Sequence, residues 1–327
     1  MKLPGPDELE AAAAAVYRVI PPTPEIRWPL LCARTGTEVW VKHENHTPVG
    51  AFKVRGGIVY MEALLHREPH TRGVIAATIG NHGQSVAFAA ARAALRTVIV
   101  VPRSNGVEKN AAMRALGAEL IEHGRDFQEA YEHAAALAES ERLHFMRSFD
   151  RALVAGVASY GLELFRGTPE LDTVYVPIGL GSGICGTLAA RDALGLKTEI
   201  VGVVAAGAPS YALSFAAGRP VATDSVETIA DGVACRVPDV DALEIICRSA
   251  ARIVTVTDEE IRAAMQHLFT DTHNVAEGAG AVALAGLLQE GPKMRGRRVA
   301  VILSGSNIDR SIFVRALDQK PSQIFTL

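Results

Sequence analysis

Short, largely apolar runs rich in β-branched residues alternate along this chain with longer alanine-rich segments, and few folds accommodate that pattern. Val74–Ala77 precedes the stretch Asn81–Ala94, Thr97–Val101 precedes Val107–Leu116, and Ala118–Ile121 precedes Phe127–Ala138. Val174–Pro177, Ile200–Val204 and Val299–Leu303 repeat the pattern further on. A strand with one wet face alternates apolar and polar residues. These runs do not, so both faces are covered, as in parallel sheets flanked by helices. The spacing predicts an α/β protein of mostly parallel strands.

Composition removes several function classes. The 327 residues carry 33 basic and 36 acidic side chains, a net charge of −3 that leaves no electrostatic footprint for nucleic acid. No run of about 18 apolar residues occurs, so no membrane span is expected. The opening Met1–Pro6 lacks the apolar core of a signal peptide. The run Ala11–Ala15, beside Glu8 and Glu10, reads as a surface helix. Cys32, Cys185, Cys235 and Cys247 are widely spaced and form no C-x-x-C pair. That spacing argues against zinc ligation or a disulfide framework and for reduced thiols in the cytoplasm. The last strand and helix end near Val314, and the thirteen or so residues beyond it leave no room for an appended regulatory module.

Four segments are poor packing material, yet each sits at the edge of an element. Gly50-Ala51-Phe52-Lys53-Val54-Arg55-Gly56-Gly57 opens a helical run over Ile58–Leu65. Lys53 is either a solvated surface lysine or, crowded by Phe52, Val54 and glycines, a desolvated amine that loses its proton easily. A neutral amine is what Schiff-base chemistry needs. Thr78-Ile79-Gly80-Asn81-His82-Gly83-Gln84 joins a strand to a helix start, where backbone N–H groups bind anions such as carboxylates. The plainer reading is that Thr78 or Asn81 caps that helix.

Gly179-Leu180-Gly181-Ser182-Gly183 follows the strand Val174–Pro177 and forms a phosphate cradle of exposed amides and a hydroxyl at a positive helix end. Gly181, Gly183 and Gly186 also satisfy the G-x-G-x-x-G dinucleotide fingerprint, which keeps a dinucleotide-dependent oxidoreductase as an alternative. That fingerprint wants an acid about 20 residues on, closing the next strand. Here the strand closes with Val204-Ala205-Ala206-Gly207, so a single phosphate is the better ligand. A hydrolase elbow fails because Leu180 and Ile184 flank Ser182 where glycines are required. Leu303-Ser304-Gly305-Ser306-Asn307 ends the last strong strand and is either a polar turn with a helix cap or part of a site.

Together and in this order, the four segments resemble the fold-type II pyridoxal-phosphate enzymes, and within them the serine/threonine dehydratase group, from Glu44 to about Asp309. The resemblance implies a two-lobed fold similar to the tryptophan synthase β chain, with the cofactor between a large lobe (1–70 and 150–327) and a small one (71–149). It implies that Lys53 holds pyridoxal 5'-phosphate as a Schiff base and then takes the α-proton, with Phe52 against the ring. Asn81 would meet the ring hydroxyl, Gly179–Gly183 the phosphate, and Ser304 the pyridine nitrogen. Thr78, Ile79, Gly80, Asn81 and His82 would surround the substrate carboxylate. Glu227–Gly232 and Glu277–Ala281 would lie near the ring.

The implied reaction removes water and then ammonia from L-threonine or L-serine, and the implied assembly is a homodimer. Ile79 stands where the family's racemases carry a serine base, which disfavours racemisation. Ala205–Ser210 offers none of the carboxylates with which some members hold a divalent cation, so no metal site is expected there. Leu180, Ser182 and Ser306 replace glycines of the family pattern. A 3-hydroxyaspartate enzyme is a neighbouring possibility that needs a cation near the side chain, with Arg125 and His82 as candidates.

Overall fold

The computed structural model describes residues 1–318. Its strands in chain order are β1 (Glu25–Arg27), β2 (Glu38–His43), β3 (Gly73–Ala77), β4 (Arg96–Val101), β5 (Glu119–Glu122), β6 (His144–Phe145), β7 (Thr173–Pro177), β8 (Glu199–Ala205), β9 (Arg252–Val256) and β10 (Arg298–Leu303). They form a six-stranded sheet in the order β1-β2-β10-β7-β8-β9 and a four-stranded sheet in the order β5-β4-β3-β6. Only the β1–β2 pair is antiparallel. The α/β class with mostly parallel strands is therefore as the apolar runs required. Residues Gly73–Ala77 are all buried, the burial pattern of a strand covered on both faces.

Each sheet carries a cluster of buried side chains on either face. On the six-stranded sheet, Val41, Tyr175 and Val203 belong to one cluster and Val174, Val176 and Ile302 to the other. The four-stranded sheet divides the same way, with Val74 and Ile99 on one face and Ile75 and Val98 on the other. The helix Lys53–Arg67 packs on two clusters: Tyr60, Met61 and Leu64 join Val74 and Val86 at the four-stranded sheet, while Val54 and Ile58 join Val16, Ile20 and Val49. The helix Arg151–Gly167 bridges the layers, with Leu153 in the cluster of the four-stranded sheet and Val157 and Tyr160 in that of the six-stranded one.

The alanine run near the N-terminus lies, as expected, in a surface helix, Pro6–Tyr17: Glu8, Glu10, Ala11 and Ala14 are exposed, while Leu9, Ala12, Ala13, Ala15 and Val16 form its buried face. Leu9 and Ala13 pack on Ala158 and Leu162. Small alanines on the buried face, Ala12, Ala13 and Ala15, let this helix approach its neighbour closely.

Around Arg55 lies a charge network that is buried except at its edge, where Glu25 is partly exposed. Arg55 donates from Nε to Glu44 at 2.7 Å and from Nη1 to Glu163 at 2.6 Å and Ser159 at 2.9 Å. Lys42 of β2 reaches Glu163 and Glu25, each at 2.7 Å. Such a network adds little net stability over an apolar core, but removing one partner strands a charge at a cost of about 3–5 kcal/mol. It therefore fixes where the helix Lys53–Arg67 begins relative to β2 and the helix Arg151–Gly167.

Candidate active site

In open α/β sheets, loops leaving the carboxyl ends of parallel strands form the natural binding crevice. Here β3 ends at the Thr78 loop, β7 at the glycine-rich loop and β10 at Ser304. All of these line one cavity of about 450 Å³ between the two sheets, together with Phe52, Lys53 and Glu277. Of the residues singled out in the sequence, Phe52, Lys53, Thr78, Ile79, Gly80, Asn81, His82, the run Gly179–Gly183, Glu277 and Ser304 line this cavity. Of the stretches Glu227–Gly232 and Glu277–Ala281 only Asp231, Gly232, Glu277 and Ala279 do, and Arg125 does not.

Lys53 opens the helix Lys53–Arg67, so its side chain projects from a fixed helix end into the cavity. Burial lowers its pKa to about 8, which leaves a useful fraction as the free amine near neutral pH. Its nitrogen lies 3.4 Å from Ser182 Oγ and 5.3 Å from the centre of the Phe52 ring. The Phe52 ring meets Tyr160 edge-on, with centroids 6.1 Å apart. The Tyr160 hydroxyl donates to Gly183 O at 2.8 Å.

The glycine-rich loop has the geometry of an anion cradle. Gly181 caps the helix Ser182–Ala193 at φ +102°, a left-handed conformation, and no side chain satisfies the first N–H groups of that helix. A Cβ at Gly181 would lie 2.7 Å from Ala242 Cβ. Leu180 and Ser182 are tolerated because the left-handed backbone falls on Gly181 alone among residues 179–183. A phosphate fits this loop: free amides and the Ser182 hydroxyl converge there at a positive helix end. With an amine beside that cradle and an uncharged Ser304 across the cavity, the residues fit pyridoxal phosphate.

The Thr78 loop shows why a threonine stands there. Thr78 Oγ1 accepts from Gly80 N at 3.0 Å and Gly83 N at 3.3 Å, which curls the loop into the helix Asn81–Arg92. Capping and site roles thus coincide in one residue. Ile79 presents a hydrocarbon to the cavity. His82 is buried, and burial followed by the Lys53 charge lowers its pKa to about 3.

Asn81 is held from both sides. Asn307 Nδ2 donates to Val49 O at 2.7 Å and to Asn81 Oδ1 at 2.8 Å, and Asn81 Nδ2 donates to Glu277 Oε1 at 2.6 Å. Glycine is required at residue 305, since a Cβ there would lie 2.4 Å from Glu277 Oε1. Glu277 is buried at 2% exposure, and burial raises its pKa to about 7 against the opposing charge of Lys109. Ser304 is buried at the end of β10, its hydroxyl donating to Ala279 O at 3.3 Å.

Sequence reasoning missed Lys109, which reaches into the cavity wall from the helix Val107–Ala115 and pairs with Asp231. A lone lysine in an amphipathic stretch carries no sequence signal for this. Neither sequence candidate for a cation near a substrate side chain serves. Arg125 is paired with Glu129 at 2.7 Å on the exposed surface, and His82 is neutral. Among the described residues, the cations lining the cavity are Lys53, Lys109 and Arg236.

The sequence model for pyridoxal-phosphate dependent enzymes matches residues 16–305. The L-threonine ammonia-lyase of Thermotoga maritima is 34% identical over 96% of this chain and 78% of its own length. The biosynthetic L-threonine dehydratase of Pasteurella multocida is 34% identical over 93% of the chain, which spans 60% of that longer protein. The processed form of threonine deaminase isoform 2 from Solanum lycopersicum superposes with a TM-score of 0.88 at 32% identity, over 96% of this chain and 94% of that one.

Proposed function

Because this chain belongs to the pyridoxal-phosphate dependent enzyme family, we infer that it is an ammonia-lyase for L-threonine or L-serine, converting the hydroxy amino acid to a 2-oxo acid and ammonia. One observation carries the reading. The cavity joins a desolvated lysine to an uncapped, glycine-lined helix start, 3.4 Å apart at Lys53 Nζ and Ser182 Oγ. The curated relatives named above, a threonine ammonia-lyase and a threonine dehydratase, support the same reaction. The dinucleotide alternative has no support, since β8 ends at Ala205 without an acid to hold a ribose.

The residues divide the work. Lys53 would hold the cofactor's aldehyde carbon, Gly179–Gly183 its phosphate, Asn81 its ring hydroxyl and Ser304 its ring nitrogen. When bound, pyridoxal phosphate supplies the electron sink that makes the α-proton of the amino acid acidic. Lys53 Nζ, with its pKa lowered to about 8, is the base within the cavity for that proton. The uncharged Ser304 would face the ring nitrogen without forcing it to stay protonated. The Thr78–His82 loop receives the substrate carboxylate at its helix start. Ile79 offers no second base, so the α-carbon is deprotonated from one face only. The balance is complete: water leaves and is taken up again, and ammonia is released.

We also read the protein as a cytoplasmic homodimer built from a large lobe (1–70 and 150–327) and a small one (71–149). Cys32, Cys185, Cys235 and Cys247 are all free thiols, as a reducing compartment favours. Among the described residues no helix is long and apolar enough to cross a membrane.

The test is a 2-oxo acid assay on cofactor-loaded protein with L-threonine, L-serine and the 3-hydroxyaspartate stereoisomers. Turnover of threonine or serine is expected, and Lys53→Ala should lose both the visible absorbance and the activity. A yellow Lys53→Ala protein would refute the Lys53 role. Turnover of a hydroxyaspartate isomer alone would move the substrate to the acidic class.

A further inference from the structure

Two cavities share a wall. Behind the first lies a second of about 440 Å³, between the β4 loop Pro102–Gly106 and the segment Asn307–Ile312. Lys109, Asp231 and Glu277 line both. Lys109 lies on the helix Val107–Ala115 that packs beside the four-stranded sheet, whereas Asp231 and Glu277 follow β8 and precede β10. The lysine therefore joins two parts of the chain across the site.

Glu277 has one satisfied oxygen and one that is not. Oε1 accepts from Asn81, while Oε2 is buried and has no hydrogen-bond partner. The nearest cation to Oε2 is Lys109 Nζ at 3.9 Å, already engaged by Asp231. The charged groups around Glu277 are then Lys109 from its helix and Asp231 from the turn Asp231–Val233, with Asn81 the polar neighbour. Asp309 stands behind Lys109 and accepts from Val107 N at 3.1 Å at the start of that helix.

We propose that Lys109 is a positioning residue for the reaction: shared between Asp231 and Glu277, it sets the charge on Glu277, and Glu277 passes that charge through Asn81 to the ring hydroxyl of the bound cofactor. This rests on the reading of Asn81 under Proposed function. The geometry makes the control two-sided. Lys109 favours the Glu277 carboxylate, and Asp231 opposes it both by its own charge and by holding Lys109 3.9 Å away from Oε2.

The experiment uses the cofactor-loaded protein and its Lys109→Met, Lys109→Arg and Asp231→Asn variants. Visible absorbance is followed from pH 5.5 to 9, with kcat and KM for the better of L-threonine and L-serine over the same range. Removing an opposite charge at this distance should move the midpoint of the absorbance change upward by about one pH unit in Lys109→Met. Asp231→Asn should move it downward, and Lys109→Arg should restore the wild-type midpoint. The profile of kcat should follow these shifts while KM changes less than twofold. A merely structural lysine would lower the melting temperature and leave the midpoints in place.

Midpoints that stay fixed, or that move the same way in Lys109→Met and Asp231→Asn, overturn the proposal. If Lys109→Met fails to fold, Asp231→Asn decides alone, and absence of its downward shift overturns the proposal. A wild-type protein that develops no visible absorbance on loading is a different failure. It sinks the reading of the site as a pyridoxal-phosphate centre, and the role of Lys109 falls with it.

Discussion

A backbone carbonyl can only accept a hydrogen bond, and at Val49 that fact propagates through the site. Val49 O obliges Asn307 to turn its amide nitrogen inward, so Asn81 must present Oδ1 to Asn307 and Nδ2 to Glu277. The remaining N–H of Asn81 is thereby left for a ligand in the cavity. Asn307→Asp removes the donor and sets a carboxylate against Val49 O and Asn81 Oδ1. It should cost about 1–3 kcal/mol of stability and weaken cofactor retention, whereas Asn307→Ala, which adds no charge, should cost less. Thermal melting and the visible absorbance after dialysis check this, and equal effects of Asp and Ala would show that polarity is not what Asn307 supplies. Single residues at strand ends were readable beforehand because Lys53, Asn81 and Ser304 sit in short motifs. Asn307 reads in the sequence either as a cap or as part of a site, and Lys109 carries no signal, since both engage partners that are remote in sequence, Asn81 and Asp231.

The helix Ser182–Ala193 shows what one residue can do to an element. Its two ends both carry a glycine with positive φ, Gly181 at +102° before it and Gly195 at +64° after it. A Cβ at Gly195 would meet nothing within 4 Å, whereas one at Gly181 would press on Ala242 Cβ at 2.7 Å. Gly195→Ala should therefore cost about 1–2 kcal/mol from the backbone alone and leave cofactor binding intact. Gly181→Ala adds the steric contact and tilts the helix start, so its cofactor affinity should fall at least tenfold. Titration with pyridoxal phosphate and melting curves separate the two, and equal affinities in both variants would show that the helix start is not the cradle. Strands announced themselves where both faces are dry, as in β3, β4, β7, β8 and β10. β2 carries no such signal because its sequence Glu-Val-Trp-Val-Lys-His places Lys42 and His43 at buried positions, Lys42 paired with Glu163 and His43 Nε2 accepting from Trp28, both from elsewhere in the chain. β6, with two residues, is too short to carry a pattern, and β9, Arg252–Val256, alternates because it lies at the sheet edge.

Across the whole molecule, four buried or half-buried titratable groups set how stability responds to mild acid. Burial lowers the pKa of His43 and of His267 to about 4 and that of His82 to about 3. All three lie below the unfolded value of 6.5. The unfolded chain then binds protons first, and each ring removes about 1.4 kcal/mol per pH unit as pH falls from 6.5 toward its folded value. Glu277 has the opposite sign. Its folded pKa of about 7 lies above the unfolded 4.5, so acidification from pH 7 to 4.5 relieves the penalty of a buried carboxylate by a similar amount per unit. Three losses against one gain leave a net loss of about 2.8 kcal/mol per pH unit between pH 6.5 and 4.5. Carboxylates held low by ion pairs, such as Glu163 beside Arg55 and Lys42, contribute below that window, because they lose their stabilisation only as pH falls beneath 4.5. For a chain of this size the net loss should lower the melting temperature by roughly 3–5 °C per unit. Glu277→Gln keeps an acceptor for Asn81 but removes the opposing titration, so its melting temperature should fall about half again as steeply over the same range. A wild-type melting temperature that stays flat from pH 6.5 to 4.5 would show that the three histidines do not control acid stability. A Glu277→Gln slope no steeper than wild type would show that Glu277 is already ionised throughout the window, which would place the Lys109 charge in full control of it.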